Sequence, residues 1–197
     1  MKKILFLIAA LLLTFNGIAQ KKADFNENDV KQFYRTIEGV YTGWINDSTS
    51  VTLHFTPIWE REGDMFHWLY MEAVNKNTKK IVAQNILEIK PLTSITFNVI
   101  VYGIKSPDVF AGKWGNRNFF DGFNKGILKG KKKFVFIKTK DFEYQTGWNR
   151  PSKLKCFPSG DRVHFKFVQG EESLYVKRIP KRTSDIIGIT FIKAPID

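Results

Sequence analysis

Apolar residues follow two different spacings along this chain, one helical and one strand-like. Near the N-terminus they recur three and four residues apart, at Val30, Phe33, Tyr34 and Ile37. This spacing predicts an amphipathic helix over residues 24–37. Asn28 or Asp29 could cap that helix, since short polar side chains accept bonds from the first free backbone N–H groups.

Beyond this helix the pattern changes to strict alternation of apolar and polar residues. Val51, Leu53 and Phe55 alternate with polar neighbours, and an apolar run after a charged turn continues to Val74. Further strand-like runs cover residues 81–89, 94–102, 134–138, 142–146, 163–168, 173–179 and 186–192. Residues 119–130 fit no strand, and their phenylalanines suit one short helix. About nine or ten strands after one helix predict a mainly all-β antiparallel barrel or sandwich, in one domain over residues 24–194.

The first 19 residues have the pattern of a signal peptide. Lys2 and Lys3 precede an apolar stretch of roughly ten residues, too short to span a bilayer. Gly17 and Ala19 place small residues at the two positions that a signal peptidase reads, so we expect cleavage after Ala19. The alternative is an uncleaved anchor. Cleavage predicts an exported protein, periplasmic or secreted, with no transmembrane segment in the mature chain.

The chain is strongly basic, with a formal net charge of +12. Loss of Lys2 and Lys3 lowers it by two, to +10. Two basic clusters stand out, one of Lys129, Lys131, Lys132 and Lys133 and one of Lys177, Arg178, Lys181 and Arg182. They are either solvated loop surfaces or patches that attract an anionic glycan, lipid head groups or an acidic partner. Nucleic acid is not expected, because the protein is predicted to be exported and no nucleic-acid motif is present.

Few residues form a pattern typical of catalysis or metal binding. The three histidines (His54, His67 and His164) lack the spacing of a zinc site, so no metal is predicted. There is no nucleophile elbow and no phosphate-binding glycine loop. Cys156 is the only cysteine, which excludes an intrachain disulfide and leaves a buried side chain or a free thiol. No catalytic residue can be named from the sequence.

Two motifs resemble a known family. The stretch from Glu38 to Trp44 looks like the Gly-x-aromatic opening of calycin (lipocalin-like) barrels. Pro57-Ile58-Trp59, a charged turn and then Trp68-Leu69-Tyr70-Met71-Glu72 resemble the chromophore lyases of the CpeT/CpcT type. The segment from Val109 to Trp114 is similar to a further part of that family. The chain departs from the family's pattern at two places. Ala73 stands where the family has Gln, and residues 81–84 lack the paired Arg that the family carries there.

The resemblance implies a lipocalin-like barrel that binds a hydrophobic or tetrapyrrole-like small molecule, with a linear tetrapyrrole (bilin) as the possible ligand. An alternative is that the protein is a lyase, attaching the bilin to a cysteine of an acceptor protein. The candidate ligand-binding residues are Tyr70, Glu72, Trp44, Trp59, Trp68 and His54.

Alternation predicts that Tyr70 and Glu72 share one face of their strand. If that face points into the barrel, Glu72 could bond a polar ligand group or a pyrrole N–H. If it points outward, Glu72 is a solvated side chain or pairs with a lysine.

Overall fold

The structure is a computed structural model that describes residues 27–60, 67–147, 161–168 and 172–194. The predicted signal peptide, residues 1–19, and Cys156 lie outside these residues. Within the described residues one α-helix precedes ten strands, and four short 3-10 helices lie between β5 and β6. The elements are α1 (Glu27–Ile37), β1 (Gly39–Asn46), β2 (Thr49–Ile58), β3 (His67–Asn75), β4 (Ile81–Thr93), β5 (Thr96–Ile104), η1 (Pro107–Phe110), η2 (Lys113–Gly115), η3 (Arg117–Gly122), η4 (Lys125–Ile127), β6 (Leu128–Lys140), β7 (Glu143–Thr146), β8 (Arg162–Val168), β9 (Ser173–Ile179) and β10 (Ile187–Lys193).

The ten strands form a closed antiparallel barrel. Each strand pairs with the next along the chain, and β1 pairs with β10 to complete the ring. Two-residue turns join β1 to β2 and β4 to β5, and β1 to β5 follow one another around the barrel as a meander. Closure leaves no long edge strand exposed to another chain. The prediction of a mainly all-β antiparallel barrel with one N-terminal helix is therefore confirmed, and of the two predicted architectures it is the barrel.

Helix α1 packs its apolar face against the barrel. Val30 and Phe33 are fully buried, and Ile37 is nearly so. The Phe33 ring lies 4.8 Å from that of Phe97 and 4.5 Å from that of Tyr144, measured between centroids. The apolar spacing in the sequence thus identified the helix and the face that it buries. None of the described helices has the length and apolarity needed to cross a bilayer.

Side chains facing the lumen form the main core of the barrel. Val51, Leu53 and Phe55 of β2 face inward, as do Leu69 and Met71 of β3. A second apolar cluster lies on the outside of the barrel, where β2, β3 and β4 meet the 3-10 helices. Residues 107–127, here called the cover segment, bury this part of the outer wall. Both faces of β3 are therefore buried, which is unusual for a strand of a small antiparallel barrel.

Two of the predicted boundaries are wrong. The structure has two 3-10 helices, Arg117–Gly122 and Lys125–Ile127, where the sequence suggested one short helix in residues 119–130. Strand β6 begins at Leu128 rather than at Phe134, because a lysine-rich run pairs with β5. The β5–β6 pairing continues past a bulge. Tyr102 pairs with Lys131 and Gly103 with Lys129, so Gly130 is the extra residue, and it has a positive φ of 51°. A glycine at that conformation lets the strand continue through what looked like a loop.

Candidate functional site

Tyr70 and Glu72 lie on the outer face of β3, beneath the cover segment. They share one face of the strand, as alternation predicted, but it is not the face that lines the lumen. The Tyr70 hydroxyl lies 2.7 Å from Oε2 of Glu72 and 2.9 Å from the carbonyl oxygen of Phe110. Oε2 of Glu72 also accepts a bond of 2.9 Å from the backbone N–H of Gly112. The pair therefore holds the cover segment against the barrel wall.

Gln84, on the neighbouring strand β4, completes this polar network. It stands opposite Glu72 in the β3–β4 ladder, and its Nε2 donates to the Tyr70 hydroxyl over 2.8 Å. Glu72 is only 1% exposed, so its carboxylate depends on these donors in place of water. Burial, followed by the hydrogen bond to Glu72, raises the pKa of the Tyr70 hydroxyl well above its usual range. Tyr70 is therefore a neutral hydrogen-bond donor at all physiological pH values.

Thr56 of β2 and Trp59, which directly follows β2, also hold the cover segment in place. The indole Nε1–H of Trp59 is shared between the carbonyl oxygens of Phe120, at 2.8 Å, and Phe123, at 3.0 Å. The hydroxyl of Thr56 donates to the carbonyl oxygen of Trp114 over 2.6 Å. Carbonyl groups of short 3-10 helices have few partners of their own. These bonds satisfy them and fix the segment in place.

His54 packs beneath the same segment. Its imidazole stacks on the indole of Trp114, with centroids 3.9 Å apart and planes inclined by 20°. The ring is 7% exposed, and its Nδ1 has no hydrogen-bond partner among the described residues. Burial lowers the pKa of His54 from 6.5 to about 4. The imidazole is thus neutral at pH 7 and acts as an aromatic packing surface.

Acidification should weaken the fold through His54. Between pH 6.5 and about 4 the unfolded chain protonates this imidazole and the folded chain does not. The free energy of unfolding is therefore unaffected by this imidazole above pH 6.5. It falls by up to about 3 kcal/mol as the pH is lowered toward 4. Urea unfolding at pH 7 and pH 4.5 measures this loss. His54→Gln cannot titrate, so its stability should fall less over the same interval; an equal fall in both proteins would contradict the expectation.

The predicted tryptophans do not line the lumen. Trp44 is 60% exposed on the outer face of β1, away from the lumen. Trp59 and Trp68 are buried, but in the outer cluster, with their ring centroids 5.3 Å apart. Five of the six candidate residues therefore meet beneath the cover segment, and Trp44 stands apart. Alternation places Trp44 outward because Tyr41 and Gly43, on the opposite face of β1, point inward.

The lumen itself holds little free space. Its cavity has a volume of about 50 Å³ and is lined only by apolar side chains, among them Ile37, Leu53, Met71, Leu87 and Phe165. Sites for drug-sized ligands occupy roughly 300–1,000 Å³. A linear tetrapyrrole therefore does not fit in the lumen as the side chains stand, and the lumen serves as the core of the barrel.

A much larger cavity of about 560 Å³ lies where β4 and β5 separate. The ladder between these strands begins at the pair Ile86 and Tyr102, so residues 81–85 of β4 have no ladder partner from β5. We call this opening the β4–β5 cleft. It is lined by Ile81, Val82, Ala83, Gln84, Asn85, Gly103, Ile104, Pro107, Lys129 and Gly130. Gln84 joins the cleft to the polar network of Tyr70 and Glu72.

Asn85 supplies the cleft with a buried polar atom. Its side chain is 3% exposed, and Nδ2 donates to the carbonyl oxygen of Tyr102 over 3.0 Å. Its Oδ1 is buried without a hydrogen-bond partner in the part of the chain that the structure describes. Such an atom is costly to leave unpaired and often marks a missing water or ligand.

The two basic clusters differ in whether their charged side chains are exposed or held in an ion pair. Lys129, Lys131 and Lys133 are exposed on β6. In the second cluster Arg178 is paired with buried Asp161, at 2.6 Å between Nε and Oδ2. That pair joins β9 to the residue preceding β8 and makes Arg178 part of the fold. Attraction to an anionic surface stays a prediction for the remaining lysines.

The sequence did not predict the cleft or Asn85, and it identified Lys129 only as a member of a basic cluster. The signal that could have found them is the pair of glycines within strands, Gly103 and Gly130. Glycine inside a strand often marks a bulge or a close approach of another group. Comparison with protein-family models and with curated protein sequences gave no match.

Proposed function

We propose that this protein binds a small, largely apolar molecule without transforming it, and that the ligand lies in the β4–β5 cleft. The observation that carries the proposal is the contrast in size between the two cavities. The cleft, at about 560 Å³, falls within the range of small-molecule sites, and the lumen, at about 50 Å³, falls below it.

The lining of the cleft suits such a ligand. Ile81, Ile104 and Pro107 offer apolar surface, and a few polar groups stand among them. Ligand sites commonly combine an apolar wall with a small number of polar anchors. The polar network links the carboxylate of Glu72 to the cleft through Gln84. This carboxylate already accepts bonds from Tyr70 and Gly112. It serves to hold the wall of the site, which favours binding over catalysis.

A further cavity of about 360 Å³, between α1 and β3, suits such a ligand less well. Much of its lining is charged, including Glu27, Lys31 and Arg35. Arg117 in its wall is paired with Glu38, at 2.7 Å. An apolar molecule there would have to separate charges from water or from each other.

A linear tetrapyrrole is one member of the proposed ligand class. It is supported by the resemblance of residues 57–59 and 68–72 to the chromophore lyases. A bilin held in an ordered conformation should show a red-shifted and stronger absorption on mixing with the protein. Transfer of that bilin to a cysteine-containing peptide would extend the proposal from binding to lyase activity.

Blocking the cleft tests the proposal. The probe is undecanoic acid carrying a dansyl group, whose fluorescence rises in an apolar site. Ile81 lines the cleft and is 37% exposed, so Ile81→Trp fills the cleft without disturbing the core. We expect it to weaken probe binding roughly tenfold or more, about 1.4 kcal/mol.

Two matched variants locate the site. Ile95→Trp adds the same side chain at a position that is 52% exposed in the turn after β4, and should leave binding unchanged. Leu87→Ala enlarges the lumen and should also leave it unchanged. Tighter binding by Leu87→Ala together with no effect of Ile81→Trp would place the ligand in the lumen. A wild-type protein that does not bind the probe would contradict the proposal.

A further inference from the structure

We propose that the β4–β5 cleft selects ligands that carry both a hydrogen-bond donor and an anionic group on an apolar body, as an N-acyl amino acid does. This inference rests on the proposed function, because it concerns the chemistry of the same site. It depends on two side chains, Asn85 and Lys129, which come from strands on opposite sides of the cleft.

Asn85 requires a donor from the ligand. The bond from its Nδ2 to the carbonyl oxygen of Tyr102 fixes which end of the amide is left over. The end that remains is Oδ1, an acceptor, and it is buried without a partner among the described residues. A ligand N–H or O–H would satisfy it, and a ligand that offers only acceptors would leave it unpaired.

The strand backbone beside Asn85 favours an amide in particular. Residues 81–85 of β4 have no ladder partner on the side of β5, within the residues that the structure describes. Some of their N–H and C=O groups therefore face the cleft. An amide brings one donor and one acceptor in a planar unit, so it can bond both Asn85 and this backbone. An ether has no donor and therefore cannot bond Asn85 Oδ1.

Lys129 provides the cation. A Cβ at Gly103 would lie 3.3 Å from Cγ of Lys129 and 3.5 Å from its Cε. The lysine stem therefore lies over Gly103 and crosses β5 toward the cleft, which a larger residue at 103 would prevent. No acidic side chain of the described residues forms an ion pair with Lys129. An exposed, uncompensated ammonium at the rim of the cleft suits a carboxylate.

Three probes that share one alkyl chain separate the two requirements. N-dodecanoylglycine has an amide N–H and a carboxylate, dodecanoate has only the carboxylate, and N-dodecanoylglycinamide has only the amides. We expect N-dodecanoylglycine to bind tightest by calorimetry. Loss of the bond to Asn85 should weaken dodecanoate roughly fivefold to tenfold. Loss of the exposed ion pair should weaken the glycinamide about threefold.

Variants assign each effect to its residue. Lys129→Gln should weaken N-dodecanoylglycine about threefold and leave the glycinamide unchanged. Lys131→Gln removes the same charge from an exposed position on β6 that does not line the cleft, and should change neither. Gly103→Ala should weaken N-dodecanoylglycine less than Lys129→Gln does, because the added methyl group would shift the lysine stem by only a few tenths of an ångström and leave its charge in place. Asn85→Leu should weaken both amide probes and leave dodecanoate unchanged, which also shows that the variant is folded.

Two failures can be told apart. If all three probes bind equally, and Ile81→Trp still blocks them, the proposed function stands and the selectivity is overturned. The same holds if Lys129→Gln and Lys131→Gln have equal effects, which would indicate a general influence of charge. If none of the three probes binds, the proposed function fails together with the inference.

Discussion

Phe33→Ala should lower the free energy of unfolding by about 3–5 kcal/mol, the range for truncating a fully buried phenylalanine. Phe33 has no exposed surface and packs against Phe97, Phe136 and Tyr144. Because these rings belong to three different strands, one truncation removes the contact of α1 with three parts of the barrel. Urea unfolding monitored by circular dichroism measures the effect.

The matched control for this prediction lies on the same helix. Lys31 is exposed, and Lys31→Ala should change the free energy of unfolding by less than about 0.5 kcal/mol. A loss of less than about 1 kcal/mol for Phe33→Ala would show that α1 is attached to a barrel that is stable without it.

Glu72→Ala should lower the free energy of unfolding by about 1–3 kcal/mol, since two donors each lose an acceptor. These are the Tyr70 hydroxyl, which keeps the carbonyl oxygen of Phe110 as a second acceptor, and the backbone N–H of Gly112. Gly112 is exposed, so its N–H can bond water once the carboxylate is gone. Glu72→Gln is the matched control, because its amide oxygen can accept the same bonds, and its loss should be smaller by at least about 1 kcal/mol.

Hydrogen exchange distinguishes a local from a global effect of this change. In Glu72→Ala the amide of Gly112 and its neighbours in the cover segment should exchange faster than they do in the wild-type protein. The amides of β8 and β9 should exchange at the wild-type rate. Equal and small losses in both variants would contradict the role assigned to Glu72. Faster exchange throughout the barrel would indicate that Glu72 supports the whole fold and not the cover segment alone.

The fold was predictable because the apolar spacing changes only once along the chain. Helical spacing at Val30, Phe33 and Ile37 and alternation at Val51, Leu53 and Phe55 correspond directly to α1 and to the inner face of β2. The boundaries of β6 were not predictable, since a run of lysines beside Gly130 carries the composition of a loop. Its pairing with β5 is set by tertiary contacts that outweigh local preference.

The candidate site was predictable only in part. Alternation shows that Tyr70 and Glu72 share a face, but it does not show which face points inward. In most antiparallel barrels the apolar face is the inner one. Here residues of both faces of β3 are buried, because the cover segment makes a second apolar layer outside the barrel. The phenylalanines of residues 119–123 were the sign of that layer, and they were interpreted as one short helix.

The cleft could not be predicted from any single residue. It exists because the β4–β5 ladder starts five residues into β4, at Ile86. The glycines within strands, Gly103 and Gly130, are an indirect sign of that separation. Asn85 has the same alternation as the inward residues around it. Only the contacts show that its amide bonds Tyr102 on one side and nothing on the other.

The central claim is that the ligand lies in the β4–β5 cleft and not in the lumen. Hydrogen exchange with and without a saturating concentration of N-dodecanoylglycine tests it most directly. We predict slower exchange at residues 81–85 and at Gly103 and Ile104, with no change in α1 or β2. Protection confined to α1 and the strands that line the lumen, with residues 81–85 unchanged, would contradict it.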